Sequence, residues 1–404
     1  MTDILKPRDA KEVEEAVRWA LSADKALELV GQGSKRGIGR PSQTDLTLDL
    51  SGLTGVTLYE PAELVMSARA GTPLAEIDKL LADNNQALAF EPMDYGPLFG
   101  NAPGGGTIGG ALAANLSGPR RIKAGAARDH FLGATAVTGR AETIKVGGRV
   151  VKNVTGYDMC KLLAGSWGTL AAMTDVTIKV LPKPETEVTV LISGLTDKRA
   201  CEAMAIAMGS PCDVSGAAHL PDHVASYFGG LPKVEASTVL RLEGVAPSVA
   251  HRKETLAALM KPFGPVALVD EKDSVALWRS IREVRPFAAE SARERPLWRI
   301  STPPARGHEL VDRITPAAQM VYDWAGGLVW LAMPFAHEPD AATVRGAVKE
   351  LGGHATLIRA PASVRAAMDV FEPQPASLAA LNKRVKDGFD PKGLLNPGRM
   401  WAGV

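Results

Sequence analysis

The stretch GNAPGGGTIGGALAANLSGPRR (residues 100–121), continued by ARDHFLGATAVTG (127–139) and KNVTGYDMCKLLAGSWGTLAAMTDVTIKVLP (152–182), decides how this chain reads. Its start is so dense in glycine and small residues that a bulky group from outside the protein can lie against bare backbone. Glycine allows close approach and left-handed dihedrals but costs backbone entropy, so Gly104, Gly105, Gly106, Gly109 and Gly110 together point to a backbone that cradles a ligand. Residues 107–116 read as a short helix of small residues. Its free N-terminal amides would favour a phosphate or another anion.

Gly104, Gly106 and Gly109 spell a GxGxxG, the nicotinamide-dinucleotide fingerprint. That fingerprint needs a hydrophobic strand just before its first glycine. Residues 94–103, DYGPLFGNAP, read instead as loop, so the nicotinamide reading is disfavoured.

Working outward, residues 7–21 form an amphipathic pattern with Val13, Ala16, Val17, Ala20 and Leu21 on one face and Asp9 as its N-cap. A strand at 26–30 feeds GQGSKRG (31–37). Such a strand-to-loop junction suits a pyrophosphate, with amides from Gly33 and Ser34 and charge from Lys35 or Arg36; a plain glycine turn with exposed basic residues is the alternative. Strands at 46–49, 56–59 and 64–68, a helix opened by Pro73 and a strand at 172–181 give α+β order rather than regular βαβ. Pro182 and Pro184 close the segment. From Val188 the order becomes β–α–β–β–α–β, a ferredoxin-like layer, followed by the tryptophan-bearing strands LWRIS (297–301) and LVWLAM (328–333). The tail from 378 to 399 reads as a helix running into FDPKGLLNPGRM, and no short-period repeat stands out.

With 404 residues the chain can hold two or three domains. A formal net charge of +1 without blocks of like charge points away from nucleic acid and from an acidic membrane surface. The N-terminus lacks a signal-type apolar core and no apolar run is long enough for a bilayer, so the expected location is the cytoplasm. The three cysteines, Cys160, Cys201 and Cys212, form no CxxC, so any electrons received would leave through a partner.

Together, the GxGS loop, Glu91–Pro92, TIGG (107–110), RDxxLG (128–133), KNVTGYD (152–158), GSxGTL (165–170) and the terminal DPxGxxNPGRM resemble flavoproteins of the vanillyl-alcohol oxidase type. SGPRR (117–121), LWRIS, DWAGG (323–327) and GGHAT (352–356) extend the resemblance over nearly the whole chain, to the FAD-binding subunit of bacterial glycolate oxidases. The resemblance implies an α+β fold: a two-part PCMH-type FAD-binding domain (1–183), an α+β ferredoxin-like cap (184–377), and a C-terminal segment (378–404) returning to the flavin. By motif position, Gly31, Gly33, Ser34 and Lys35 would hold the pyrophosphate. Pro92, Thr107, Gly109, Gly110, Ser117 and Gly118 would line the flavin and its ribityl chain, Thr174 and Val176 would lie near the adenine, and Asn396 would return towards the flavin.

Neither glycine loop holds the histidine or cysteine that attaches FAD in covalent relatives, so the resemblance implies noncovalent FAD, with His130 structural. His308, His337 and His354 lack the close pairing of the metal-assisted 2-hydroxy-acid dehydrogenases, and no metal is expected. Oxidising a small 2-hydroxy acid needs a cation for the carboxylate and a base for the hydroxyl. Arg120 and Arg121 are the carboxylate candidates, with pairing to a neighbouring subunit or to the FAD phosphates as their alternative; Tyr157 and His354 are the proton-acceptor candidates. Trp167 would pack on a flavin or fill a domain interface. The resemblance implies one subunit of a glycolate oxidase, beside a larger flavin subunit and an iron–sulfur subunit, touching the inner face of the membrane only through those partners. A self-sufficient dehydrogenase and a flavin-free assembly subunit are the alternatives.

Overall fold

The computed structural model describes residues 3–149, 157–231, 235–314, 317–334 and 339–404. Residues 152–156 of the KNVTGYD motif and His337 lie outside the described residues.

The chain opens with β1 (Asp3–Leu5), a helix (Ala10–Ala23), β2 (Leu27–Val30) and β3 (Leu46–Asp49). The Asp9 side chain accepts from the Glu12 amide, and Val13, Val17 and Ala20 are buried, so the helix starts where its first orphan amide finds an oxygen. The three strands pair in parallel in the order β1-β3-β2. A second, antiparallel sheet comprises β4 (Val56–Glu60), β5 (Val65–Arg69), β7 (Phe131–Thr138), β8 (Thr143–Gly147) and β9 (Ala171–Lys179), in the order β4-β5-β9-β7-β8. Between β5 and β7 the chain forms the helix Leu74–Ala82 and β6 (Gln86–Ala87), which later pairs with β10 (Leu181–Pro182).

A single eight-stranded sheet follows: β11 (Thr186–Ser193), β12 (Gly216–Leu220), β13 (Ser237–Gly244), β14 (Val266–Val269), β15 (Leu297–Ser301), β16 (Gln319–Asp323), β17 (Leu328–Ala332) and β18 (His354–Arg359). Its order, β14-β11-β13-β12-β16-β17-β15-β18, is two ferredoxin-like units joined edge to edge. The first is the unit anticipated from sequence. The second, with helices Gly307–Val311 and Ala341–Leu351 as its crossovers, was not: these units share topology without a visible sequence repeat.

The joint between them covers two strand edges that would otherwise be open. One face of the second unit, carrying Trp298, Ile300, Val329, Leu331, Ala355 and Leu357, packs on the helix Ala341–Leu351. The other face, with Val321, Leu328 and Trp330, shares a core with Phe90, Tyr95 and Leu98 of the N-terminal region.

The tail helix ends at Phe389, ten residues before Arg399, and the segment beyond runs in turns and bends rather than as helix. There Leu27 donates to the Leu394 carbonyl at 2.7 Å and Asn396 donates back to the Leu27 carbonyl at 2.9 Å. Buried Lys386 locks the return by donating to Asp390 Oδ2 and the Thr169 carbonyl, both at 2.7 Å, and to the Leu395 carbonyl at 2.9 Å. A charge so deeply buried is tolerated because all three ammonium protons have acceptors.

Candidate functional site: a cofactor cleft and the cation groups beside it

Four segments far apart in sequence line a cleft that is open to solvent. They are the loop after β2 (Gly31, Gly33, Ser34, Lys35), the start of the glycine-rich helix (Thr107, Gly109, Gly110, Ala113), the turn leading into β9 (Trp167 to Met173) and Arg399 from the tail. The glycine-rich helix is only Ile108–Ala113, shorter than the sequence pattern implies, and Thr107 caps it by accepting from the Gly110 amide. Residues 96–99 form a 3₁₀ turn, so no strand precedes Gly104 and the nicotinamide context is absent there.

Two glycines are required by close approach. A Cβ on Gly31 would stand 2.7 Å from Thr107 Oγ1, and one on Gly109 would stand 2.7 Å from the Ala70 Cβ and 2.8 Å from its carbonyl oxygen. The cleft walls therefore meet along bare backbone.

The electrostatics of the cleft are those of a site for an anion. Lys35 is half-buried, and among the described residues its ammonium reaches only Ser34 Oγ, at 3.2 Å. Burial pushes Lys35 down to about 8, Asp94 partly offsetting this and Arg399 adding to it. Arg399 is buried, donates to the Lys35 carbonyl at 2.9 Å, and stacks 5.6 Å from the centre of the Trp167 ring. Its Nε has no partner among the described residues, and burial lowers its pKa to about 10. Two cations, one half-buried and one buried with an orphaned N–H, that have no ion pair among the described residues fit a phosphate-bearing cofactor.

The remaining expected cofactor residues do not line this cleft. Pro92 is buried beside Glu91; Ser117 accepts from the Ala127 amide, and Gly118 abuts the Glu91 carbonyl. Thr174 donates within its strand neighbourhood, to the Thr135 carbonyl and Asp175, and Val176 is in the core. Asn396 spends its amide on protein, accepting from Leu29 N at 2.9 Å and donating to the Trp167 carbonyl at 2.8 Å. It thus braces Trp167, which lines the cleft and also makes an edge contact with Phe371. Arg399 was not singled out from sequence, although it sits inside the NPGRM motif; its role depends on a contact with residue 35.

The two adjacent arginines separate completely. Arg120 donates to Glu243 Oε1 at 2.6 Å and stands 3.4 Å from Glu91, which also binds buried Arg241 through two 3.0 Å hydrogen bonds. Burial alone would raise Glu91, but Arg241 and Arg120 outweigh it and hold the carboxyl below its ordinary value. Arg120 is therefore bound up in an ion network between the two regions, which corrects its candidacy as a carboxylate ligand. Arg121 lies 4.2 Å over the Trp324 ring instead.

Tyr157 is 91% exposed, which leaves it without the enclosed surroundings a proton acceptor for a bound substrate needs. His354 opens β18 and is exposed there, yet surrounding protein first, and Arg299 second, hold it below its ordinary pKa. His130 is buried, bonded to the Ala124 carbonyl at 2.9 Å and packed on Phe90. Among the described residues no group of three His, Cys, Asp or Glu side chains converges as a metal site, and no helix is long and apolar enough to cross a membrane.

Comparison with known proteins agrees with this geometry. Residues 3–147 match the family described as "FAD binding domain". Glycolate oxidase subunit GlcE of Escherichia coli (strain K12) is 33% identical over 389 residues, spanning 96% of this chain and 96% of that protein. Glycolate oxidase subunit GlcD of Bacillus subtilis (strain 168) is 23% identical over 441 residues, spanning 99% of this chain and 88% of the relative. Among solved structures, 4-ethylphenol oxidase from Gulosibacter chungangensis superposes with a TM-score of 0.72 at 13% identity, covering 99% of this chain and 89% of that one. That likeness shows the fold, an FAD-binding architecture of the vanillyl-alcohol oxidase and PCMH type. FAD is thus the cofactor, and the chain belongs to the family of FAD-linked oxidoreductase subunits represented by glycolate oxidase subunit GlcE.

Proposed function

We propose that this chain is the FAD-binding subunit of a multisubunit glycolate oxidase, acting in the oxidation of glycolate to glyoxylate. The observation that carries the reading is the pair of adjoining cations, Lys35 and Arg399, without ion-pair partners among the described residues, lining a cleft walled by Gly31, Gly109 and Thr107. The relatives' names supply the substrate.

When bound, FAD supplies the two-electron acceptor for removing hydride from a 2-hydroxy acid. The protein's part is to hold and enclose it. Amides of the Gly31–Gly33 loop and the Lys35 ammonium take the pyrophosphate, Arg399 adds the second charge, and Thr107 keeps the small-residue helix against it. Trp167, braced by Asn396 and Phe371, closes one wall and keeps water off the ring system. Among the described residues no histidine, cysteine or tyrosine lines the cleft, which suits noncovalent binding.

In this reading residues 1–183 form the FAD-binding domain, 184–377 a cap and 378–404 the returning segment. Electrons pass to an iron–sulfur partner, beside a larger flavin subunit. The complex is cytoplasmic and touches the membrane only through those partners.

The test is the visible spectrum of the purified chain with FAD, before and after glycolate is added without oxygen. A flavin band near about 450 nm that bleaches places turnover in this chain. A band that persists assigns chemistry to the partner. No band after FAD is supplied refutes the reading.

A further inference from the structure

The second sheet places an arginine opposite Arg121. On β15, Arg299 pairs with Trp330 of β17 and Thr356 of β18, and Ser301 pairs with Leu328 and His354. Paired and alternate residues share a face, so Arg299, Trp330, Leu328 and His354 all look towards the FAD-binding region, where Trp330 and Leu328 join the common core. Arg121 comes from that region, at the start of the turn Arg121–Ala124. The two guanidinium groups converge on one indole: Arg121 lies 4.2 Å and Arg299 4.9 Å from the centre of the Trp324 ring.

Trp324 itself is fixed. Its indole N–H donates to the Gly118 carbonyl at 3.0 Å, and both Trp324 and Ala325 hold left-handed backbone, with φ of 52° and 57°. That conformation is costly for residues with a Cβ and persists where surrounding structure enforces it. The ring is therefore a rigid platform between two charges.

Neighbouring arginines at this interface are saturated. Arg241 and Arg120 hold carboxylates, and Arg359 donates to the carbonyls of Leu98, Phe287, Ala292 and Arg295. Arg121 and Arg299 differ: among the described residues neither guanidinium has a hydrogen bond or an ion pair, Asp129 and Asp323 act on them only from beyond contact distance, and each lies over an aromatic ring. Two like charges sharing one indole repel, and an anion between them relieves the repulsion. The planar forks match a carboxylate in two-point contact, and the indole face suits a short carbon chain. His354, kept from charging by its surroundings, leaves an uncharged ring nitrogen at the rim.

We propose that Arg121 and Arg299, stacked on Trp324, form the binding site for the carboxylate of a small 2-hydroxy monocarboxylic acid, between the FAD-binding region and the eight-stranded sheet. The site deepens the glycolate reading and rests on it for the acid's identity. It uses one arginine from each region, so the substrate would also hold the two regions together.

The test is titration calorimetry of the FAD-loaded chain with glycolate and with glycolamide, its uncharged counterpart. The variants are Arg121→Gln, Arg299→Gln and Arg299→Lys, with Arg313→Gln, on the outer surface beside Glu350, as control. Wild type and R313Q bind glycolate and prefer it over glycolamide at least about tenfold. R121Q and R299Q each weaken glycolate binding by about 10–100-fold, the scale of a lost charge-assisted contact, and R299K loses less. Flavin content, read from the absorbance of each protein before glycolate is added, is the same in all variants as in wild type. Circular dichroism and urea midpoints check folding; should R299Q misfold, R121Q and R299K carry the decision.

The proposal is overturned if glycolamide binds as well as glycolate, if folded R121Q or R299K binds glycolate as the wild type does, or if the FAD-loaded wild type binds no small 2-hydroxy acid. Failure of the wild type to take up FAD, with arginine-dependent glycolate binding intact, would instead refute the flavin reading and leave this site standing.

Discussion

Replacing Lys35 by methionine should move apo stability and cofactor affinity in opposite directions. The ammonium is held beside Ser34 with no carboxylate in contact, and its pKa falls from 10.5 to about 8. At about 1.4 kcal/mol per pH unit, that drop corresponds to about 3 kcal/mol spent keeping the charge in place. Partial solvent access screens this, so about 1–2 kcal/mol is what unfolding should read. In urea at pH 7, apo K35M should therefore be more stable than apo wild type by that amount. Affinity for FAD, followed by flavin fluorescence, should fall by about 10–100-fold, because a charge-assisted contact to phosphate is lost.

The pH dependence has a definite sign. Between about 8 and 10.5 the unfolded chain binds the Lys35 proton and the apo fold does not, so this group's contribution makes wild-type apo stability rise with pH there. FAD favours the protonated form, so affinity is flat below about 8 and declines above it. K35M should lack both slopes. A variant that is less stable as the apo protein and binds FAD within about twofold of wild type would refute the phosphate role of Lys35.

Other perturbations test the surrounding frame. Glu91→Ala takes from buried Arg241 its two-point carboxylate partner, while Arg120 keeps Glu243, and should cost about 3–5 kcal/mol by chemical denaturation, the scale of a broken buried pair. Gly109→Ala forces a Cβ to 2.7 Å from that of Ala70; about 1–3 kcal/mol of destabilisation and reduced flavin content in the purified protein should follow. Burial raises the Asp323 carboxyl from 3.8 to about 7. The fold binds that proton more tightly than the unfolded chain, so the contribution to stability is full below about pH 4 and lost as pH rises through about 7. Asp323→Asn should flatten that decline between pH 5 and 8 in urea-melt series.

The features legible from residues alone are local ones. Asp9 caps its helix because the acceptor lies three residues from the amide it satisfies. The loop 31–37 and the run 104–110 announce close backbone approach because only glycine tolerates it, and the structure indeed brings Gly31 against Thr107. The first ferredoxin-like unit was readable from alternation and helix spacing. The second was not, because the helix between its first two strands, Gly307–Val311, has only 5 residues and is too short to show helical spacing.

Side-chain roles lay beyond the sequence wherever a partner is remote. Arg120 and Arg121 are neighbours of the same type, and nothing local distinguishes them. Their fates follow from Glu243, more than a hundred residues away, which neutralises one, and from Trp324, which holds the other beside Arg299. Arg399 joins Lys35 across 364 positions only because Lys386 and Asn396 pin the tail beside β2. Sequence by itself determined where the backbone turns and where it leaves room for a cofactor, since those depend on the conformational limits of each residue. The tertiary structure decided which charges are cancelled and which are left for a ligand, because charge compensation depends on distance in space.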